Sequence, residues 1–486
     1  MRIAFVDGPW PGHGHRTQRW AHKNPGGNIN PPPLFQMYAA AVCRREGHEV
    51  RLWDCPAREM GYPELLAELA AFRPELVVVN SSTPSFDHDL TLIRQIKAAL
   101  DAVVAIVGPH VTALAEQVLS GHPEIDLIAL GEYDETIADL AANLSSPQRV
   151  RGVAFRENGQ PARSEARPPI ADLDSLPHPT WDLVDINLYW ESMFPKRKRP
   201  AATIMSSRGC NFRCSFCLYP QVLFPGKLRM RSLESVAGEI EWLRDDYGAR
   251  FFYFEDDNFT ASWQRLEELC ELMIERRLGV TWGCLSRIDG VTRERVQLMR
   301  RAGCFLIKYG VESGVQGHID HIEKKIKLDK VIQAFRLTRQ AGIYTHATVM
   351  LGLPGETFET IKTTRSFVRK LAPDSVQFSI CTPFPGTKFW DECVANGWVE
   401  YERWEDFDGV CGGVLSYPHL HRTAMRKAVE DSYLDYYSSP AHISLRLRSM
   451  VLGPERLSQV ERSFWLLKRL MMVLKGRVLR PGASPR

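Results

Sequence analysis

Apolar and polar positions set up one alternation at the start of the chain and a larger one after its middle. RIAFVDGPW, EVRLWDCPA, ELVVVNSST, AVVAIVGPH and IDLIALGE are short runs rich in β-branched residues, and they predict five buried strands. PLFQMYAAAVCRREGHEV, YPELLAELAAFRPE, TLIRQIKAALD and TALAEQVLSGH lie between them and predict helices. Successive parallel strands need such crossovers, so the first 145 residues predict an open parallel sheet of Rossmann-like type. Ligands of such sheets sit at the carboxyl ends of the strands, here Asp7–Gly14, Asn80–Ser85, Gly108–Thr112 and Gly131–Glu135. Residues 146–200 break the rhythm with a predicted hairpin and a proline-rich linker, LDSLPHPTWDLVD, followed by the basic run Lys196–Arg199. From Ala201 to about Trp390, ATIMSSRGC, RFFYFEDDNF, VTWGCLSRID, CFLIKYGVES, YTHATVMLGLPGE and SVQFSICTPF predict six strands with helices between them. Repeated strand–helix units of this length predict a full or partial parallel barrel with its site at the carboxyl ends. Residues 391–486 predict a helical C-terminal region.

Composition adds mainly exclusions. The 486 residues are 44% hydrophobic and 24% charged with a net charge of +3, values of an ordinary globular chain without the basic face that nucleic acid requires. No apolar run approaches the ~18 residues of a membrane span, and MRIAFVDGPWPG does not read as a signal peptide, so a cytoplasmic location is expected. Eleven cysteines, an odd number, argue against a disulfide framework.

Three of them stand apart. Cys210, Cys214 and Cys217 follow a predicted strand in SSRGCNFRCSFCLYP, and the spacing C-x3-C-x2-C lets three thiolates converge. Thiolates suit iron–sulfur clusters and zinc. No further Cys or His follows within a dozen residues to complete a zinc site, and three ligands to a four-iron cluster leave one iron open. Arg208 and Arg213 are the nearby cations expected to offset negative charge. Zinc remains the alternative.

The segment from Ala201 to about Trp390 resembles the radical S-adenosylmethionine (SAM) enzymes, whose signature is this triplet after the first strand of a partial six-stranded barrel. The resemblance implies a 4Fe-4S cluster on Cys210, Cys214 and Cys217, with Phe216 beside the adenine of SAM. It implies further SAM contacts at later strand ends: Glu255, Asp256 and Asp257 after the second, Ser286 and Arg287 after the third, and Glu312 after the fourth. Gly352 and Pro354 in MLGLPGE would contact SAM after the fifth strand, and TPFPGT ends the sixth. The open iron would bind SAM through its amino and carboxylate groups, and an external electron donor of flavodoxin or ferredoxin type would reduce the cluster.

The first sheet lacks G-x-G-x-x-G after its first strand, which argues against a dinucleotide site. Ahead of a radical SAM barrel it resembles the cobalamin-binding domain of one large subclass, through NSSTPS, VGPHVT, GEYDET and the LDSLPHPTWD linker. By that resemblance Ser81, Ser82, Thr83, Gly108, Pro109, His110, Gly131 and Glu132 would line cobalamin. The D-x-H-x-x-G motif that supplies a lower-face histidine is absent, and His13, His15, His88 and His110 are the histidines nearby.

The resemblance therefore implies a cobalamin- and SAM-dependent enzyme that methylates an unactivated carbon. The alternative from the same architecture is an oxidative cyclase or rearrangement enzyme acting on a tetrapyrrole or lipid, and from a different class a cobalamin or iron–sulfur sensor. Tyr219, Tyr309 and Phe384 are expected at the barrel mouth, and Cys304 is a candidate late hydrogen donor. Pro454–Arg480 predicts a basic amphipathic helix around Trp465. It has two readings, peripheral contact with the inner face of a membrane, which would suit a lipid substrate, and docking on protein.

Overall fold

The computed structural model describes residues 1–10, 15–16, 21–22, 29–191, 193, 200–410, 412–440 and 442–444, without the side chains of 15, 21, 22, 29 and 191. His13, Lys196–Arg199, Cys411 and the amphipathic segment Pro454–Arg480 lie outside the described residues, as does the side chain of His15.

All five predicted strands of the first sheet form: β1 (Arg2–Asp7), β2 (Glu49–Asp54), β3 (Leu76–Asn80), β4 (Val103–Val107) and β5 (Leu127–Ala129). Ile3, Ala4, Phe5 and Val6 are all fully buried, as are Leu76, Val77, Val78 and Val79, because helices cover both faces. The predicted hairpin, β6 (Val153–Glu157) with β7 (Gln160–Arg163), extends this sheet instead of standing apart. It pairs antiparallel along β5 and gives the order β7-β6-β5-β4-β3-β1-β2. The order reverses between β1 and β3, which opens a crevice at their carboxyl ends.

The six later strands are β8 (Ala201–Ile204), β9 (Phe251–Phe254), β10 (Thr281–Ser286), β11 (Cys304–Glu312), β12 (Tyr344–Leu351) and β13 (Ser375–Ile380). They pair in sequence order, all parallel, as a partial barrel. The helices after β8, β9, β10, β12 and β13 begin alike. Ser232, Ser262, Thr292, Thr357 and Thr387 each accept the backbone N–H three residues on, fixing where strand-end loop gives way to helix.

The barrel is left open at β13, and the C-terminal helix Arg422–Tyr437 covers that edge. The Tyr433 hydroxyl accepts from the Phe378 N–H at 3.0 Å and donates to its carbonyl at 3.1 Å, and Tyr437 repeats the pattern on Val376. Two phenols thus satisfy the edge groups that a further strand would have paired. Between helix Lys388–Ala395 and this helix, residues 396–410 and 412–421 form a largely irregular strap that reaches both sheets. Its Gly409 carbonyl accepts from Ile380 N, and its Trp404 N donates to Asp87 in the helix Phe86–Ala99 that covers the first sheet. No helix among the described residues is long and apolar enough to cross a membrane.

Candidate functional site

The cysteine loop is pinned from several directions. Asp256 is buried, and its carboxylate accepts from the Ser206 N–H, the Ser206 hydroxyl and the Ser207 hydroxyl just ahead of the loop. Both of its oxygens are engaged there, so Asp256 fixes the loop's entry, whereas an acceptor for a SAM amino group was expected. Asp257 accepts from Gly209 N at 2.9 Å, and Gly209 needs its positive φ of 88° to turn into Cys210. Glu255, half-buried, is the remaining acid of the three.

Behind the cysteines, Gln221 sits in a single π-helical turn, Tyr219–Leu223. Its amide donates to the carbonyls of Cys217 at 2.7 Å, Ser215 at 3.1 Å and Cys214 at 3.2 Å. Such turns recur at functional sites because they re-aim the residues around them. Only that local geometry reveals Gln221, which in the sequence is one polar residue in an apolar stretch.

The third and fourth strand ends converge on the same loop. Arg287 is buried, with Nη1 3.9 Å from Cys214 Sγ and the guanidinium 3.5 Å from the Phe212 ring centroid. It donates to Asp289 at 2.7 Å and to the Lys324 carbonyl at 2.6 Å. Lys324 in turn pairs with Glu312 at 2.5 Å, both groups buried. Glu312 holds a positive φ of 64° at a register shift in β11, a backbone state uncommon for a side chain of that kind and concentrated at functional sites. Ser286 is spent locally on Thr260 and the Arg287 carbonyl. Phe216 is half-buried against the core. At the fifth strand end, Pro354 is buried and Gly352 has φ 87°. The Gly352 N–H donates to buried Glu356 at 2.8 Å, and its carbonyl accepts from the strap's Tyr417 at 2.8 Å.

Three expectations fail here. Arg208 faces away from the thiols, toward the acids of the first sheet, and the cation beside Cys214 is Arg287. Tyr309 hydrogen-bonds Thr338 and packs on Phe335, so it belongs to the helix layer and not to the mouth. Cys304 opens β11 at the amino end, opposite the site.

Burial raises the Cys210 and Cys217 thiols, so bare they hold their protons, and a bound cation would displace them. Among the described residues no trio of Cys, His, Asp or Glu converges on a single metal ion. A tetrahedral zinc would need sulfurs ~3.8 Å apart, given its ~2.3 Å bonds, whereas a cluster spans more widely spaced thiolates. The donor set of three cysteines and no clustered fourth ligand therefore fits a cluster.

In the first sheet the switch-point crevice is filled by Arg16, buried and ion-paired with Asp7 and with Asp89, the latter at 2.6 Å. Burial raises Asp7 to about 6 and Asp54 to about 7. Arg16 stands in a two-residue ladder with Ala21–His22 that no pattern in the sequence marks. Ser81, Ser82 and Thr83 are buried in the loop after β3, where Ser82 and Ser85 cap each other. Gly108 lies against that loop: a Cβ there would stand 1.9 Å from the Ser81 carbonyl oxygen, and φ is 121°. Pro109 and His110 follow, both buried. The His110 ring lies between Phe86, 4.4 Å away, and the strap's Trp404, 4.5 Å away. Neither of its nitrogens has a hydrogen-bond partner, and burial lowers its pKa to about 3. A neutral histidine with two unspent polar atoms, beside small loops at a sheet's carboxyl edge, fits a ligand-lined position. His88 is spent on Glu405 at 3.4 Å. Glu132, expected to line cobalamin, is instead taken by Arg208, Arg229 and Ile170 N.

Residues 204–368 match the model of the radical SAM superfamily, and residues 29–141 match that of the B12 binding domain. The chain belongs to the radical SAM superfamily, as an enzyme with a cobalamin-binding domain ahead of its barrel, and its cofactors are SAM, a 4Fe-4S cluster and cobalamin. Among its relatives is an uncharacterised methyltransferase of Pyrococcus horikoshii, 28% identical over 84% of this chain and 88% of that one. Another is an anaerobic magnesium-protoporphyrin IX monomethyl ester cyclase of Cereibacter sphaeroides, 31% identical over 74% of this chain and 60% of the cyclase. The fold is shared with the radical SAM methyltransferase TsrM of Kitasatospora setae, solved with cobalamin and a 4Fe-4S cluster (TM-score 0.70, 18% identity, 98% of this chain and 99% of that one).

Proposed function

We propose that this enzyme transfers a methyl group to an unactivated carbon of a small-molecule substrate. Cys210, Cys214 and Cys217 hold the cluster in this reading, and Glu255, Glu312, Gly352 and Pro354 surround SAM with Phe216 at its adenine. Ser81, Gly108, His110 and Gly131 meet cobalamin. The chain divides into a first sheet, a hairpin and linker, a barrel from about Ala201 to Trp390, and a C-terminal region. The observation that carries the reading is that the carboxyl edge of the first sheet packs on the cysteine loop itself, through Glu132, Asp134 and Gly131. A methyl carrier and a cluster must share one enclosed volume for this reaction, and such packing supplies it.

When bound, the reduced cluster supplies the electron that cleaves SAM, and cobalamin carries the methyl group. The chain's own part is to hold and enclose. Arg287 keeps a positive charge and a donor at Cys214, Glu312 and Lys324 form a neutral buried pair at the fourth strand end, and the strap covers the barrel end. The relatives named as methyltransferases support methylation. The cyclase relatives favour ring closure as the second reading.

Product mass separates the two: methylation adds one methylene to the substrate, ring closure removes two hydrogens. Anaerobic protein with dithionite and SAM is expected to release 5′-deoxyadenosine and to show the charge-transfer absorption of a cluster. Cys214→Ala is expected to abolish that band. Its survival in the variant would refute the ligand assignment, and a native protein holding zinc without iron would refute the reaction.

A further inference from the structure

Arg208 lies two residues ahead of Cys210 in a short ladder where Ser207–Arg208 pairs antiparallel with Arg229–Met230. Its side chain is 1% exposed. Nη1 donates to Glu132 at 2.6 Å and to Asp134 at 2.7 Å, and Nη2 donates to the second Asp134 oxygen at 3.0 Å. Glu132 lies in the loop after β5 and Asp134 opens the helix Asp134–Ala142 that follows it, so a bidentate fork crosses between the two sheets. The guanidinium also lies 5.2 Å from the Tyr38 ring and 5.7 Å from that of Phe224, again one from each side. Arg229 completes the group by donating to Glu132 at 2.7 Å and to the Ile170 carbonyl at 2.6 Å. Two guanidiniums and two carboxylates balance, which is what makes burial of four charges tolerable.

The first sheet holds the other end of the loop as well. A Cβ on Gly131 would stand 3.7 Å from the Leu223 carbonyl, in the π turn that follows Cys217. A Cβ on Gly386 would stand 2.8 Å from Val222 and 2.9 Å from Ala113, the latter at the end of the helix Pro109–Ala113 that contains His110. The segment from Arg208 to Leu223 is thus gripped before its first cysteine and after its last by loops that follow β4 and β5.

We propose that Arg208 is a positioning residue which, through Asp134 and Glu132, ties the register of the cysteine loop to the carboxyl edge of the first sheet, so that binding of cobalamin and binding of SAM are thermodynamically coupled. This rests on the cofactor assignments above. A planar fork is suited to the task because it fixes orientation as well as distance, whereas a lysine supplies charge alone. Coupling between two sites is reciprocal, so it can be read from either ligand.

The test is equilibrium binding of SAM to cluster-loaded protein with and without hydroxocobalamin, measured by calorimetry. The native enzyme is expected to bind SAM at least about fivefold more tightly when cobalamin is present. In Arg208→Lys and Asp134→Asn the ratio should fall toward one while iron content and both ligands are retained. Glu132→Gln, which leaves the Arg208–Asp134 fork in place, should give an intermediate ratio and serves if the first two variants do not fold. A native ratio of one overturns the proposal, and so does a native-like ratio in the variants. A merely structural role would weaken SAM binding equally in both conditions, which also overturns it. Failure of the cluster assignment is seen separately, as survival of iron in Cys214→Ala.

Discussion

Glu356 offers a calculation that can be checked without substrate. It is wholly buried behind the glycine turn of β12, accepting from Gly352 N at 2.8 Å and from the Thr360 hydroxyl at 3.0 Å. The group facing it across the turn is His318, whose Nδ1 is 3.6 Å away and whose own pKa burial lowers, so it brings no firm positive charge. Burial accordingly raises Glu356 from 4.5 to about 7, against the smaller opposing pull of the Gly352 N–H. An acid raised on folding stabilises nothing when ionised. The folded state holds its proton where the unfolded chain has lost it, so the full stability is present below the unfolded value and is lost as pH rises through the folded one. The shift corresponds to about 3 kcal/mol at alkaline pH, of which about 1.4 kcal/mol is already lost at about pH 5.5. Glu356→Gln keeps an acceptor for Gly352 and removes the titration. Relative to the native protein it should gain about 2 kcal/mol more at about pH 8 than at about pH 5.5. Paired denaturant titrations of the cluster-loaded proteins give that difference directly. A native-minus-variant difference that is the same at both pH values would refute the reasoning, since it would mean that Glu356 is ionised throughout.

His110 should show the opposite sign. Its pKa is lowered to about 3, so stability present above the ordinary value is lost as pH falls, and His110→Leu should gain about 2 kcal/mol on the native protein between about pH 7 and about pH 5, read by the same titrations. Gly108→Ala forces a Cβ to 1.9 Å from the Ser81 carbonyl at a φ of 121°, and the loops after β3 and β4 must separate. A loss of about 2–4 kcal/mol is expected, read as a lower denaturant midpoint with unchanged slope, together with cobalamin loss while iron is retained.

The parts of the site that could be read from sequence are those whose chemistry is local. Three cysteines in eight positions announce themselves, and each short apolar run followed by an amphipathic stretch marks a strand and the helix that follows. Arg208 and Arg16 were not legible in their roles, because what defines each is a partner far along the chain, whereas Gln221 meets carbonyls within seven residues through a π turn that no spacing marks. Arg208 meets acids 74 and 76 residues earlier, and Arg16 meets Asp89 across 73. A basic residue near thiolates suggests charge compensation by proximity in sequence, but in the folded chain that work falls to Arg287, brought from the third strand end.

The same distinction explains why the acidic run Glu255–Asp257 could not be apportioned in advance. Three adjacent carboxylates after a strand project in different directions. Asp256 therefore turns into the protein to hold Ser206 and Ser207, and Asp257 reaches the Gly209 amide. Two of the three acids shape the cysteine loop, and on the other flank two acids that follow β5 shape it as well. In the proposed reading the loop presents three thiolates to one cluster and leaves an iron open, an arrangement its own hydrogen bonds alone do not fix. The chain surrounds it with carboxylates that accept from its backbone, its serines and its arginine, so the order of the loop is set from outside before any metal arrives.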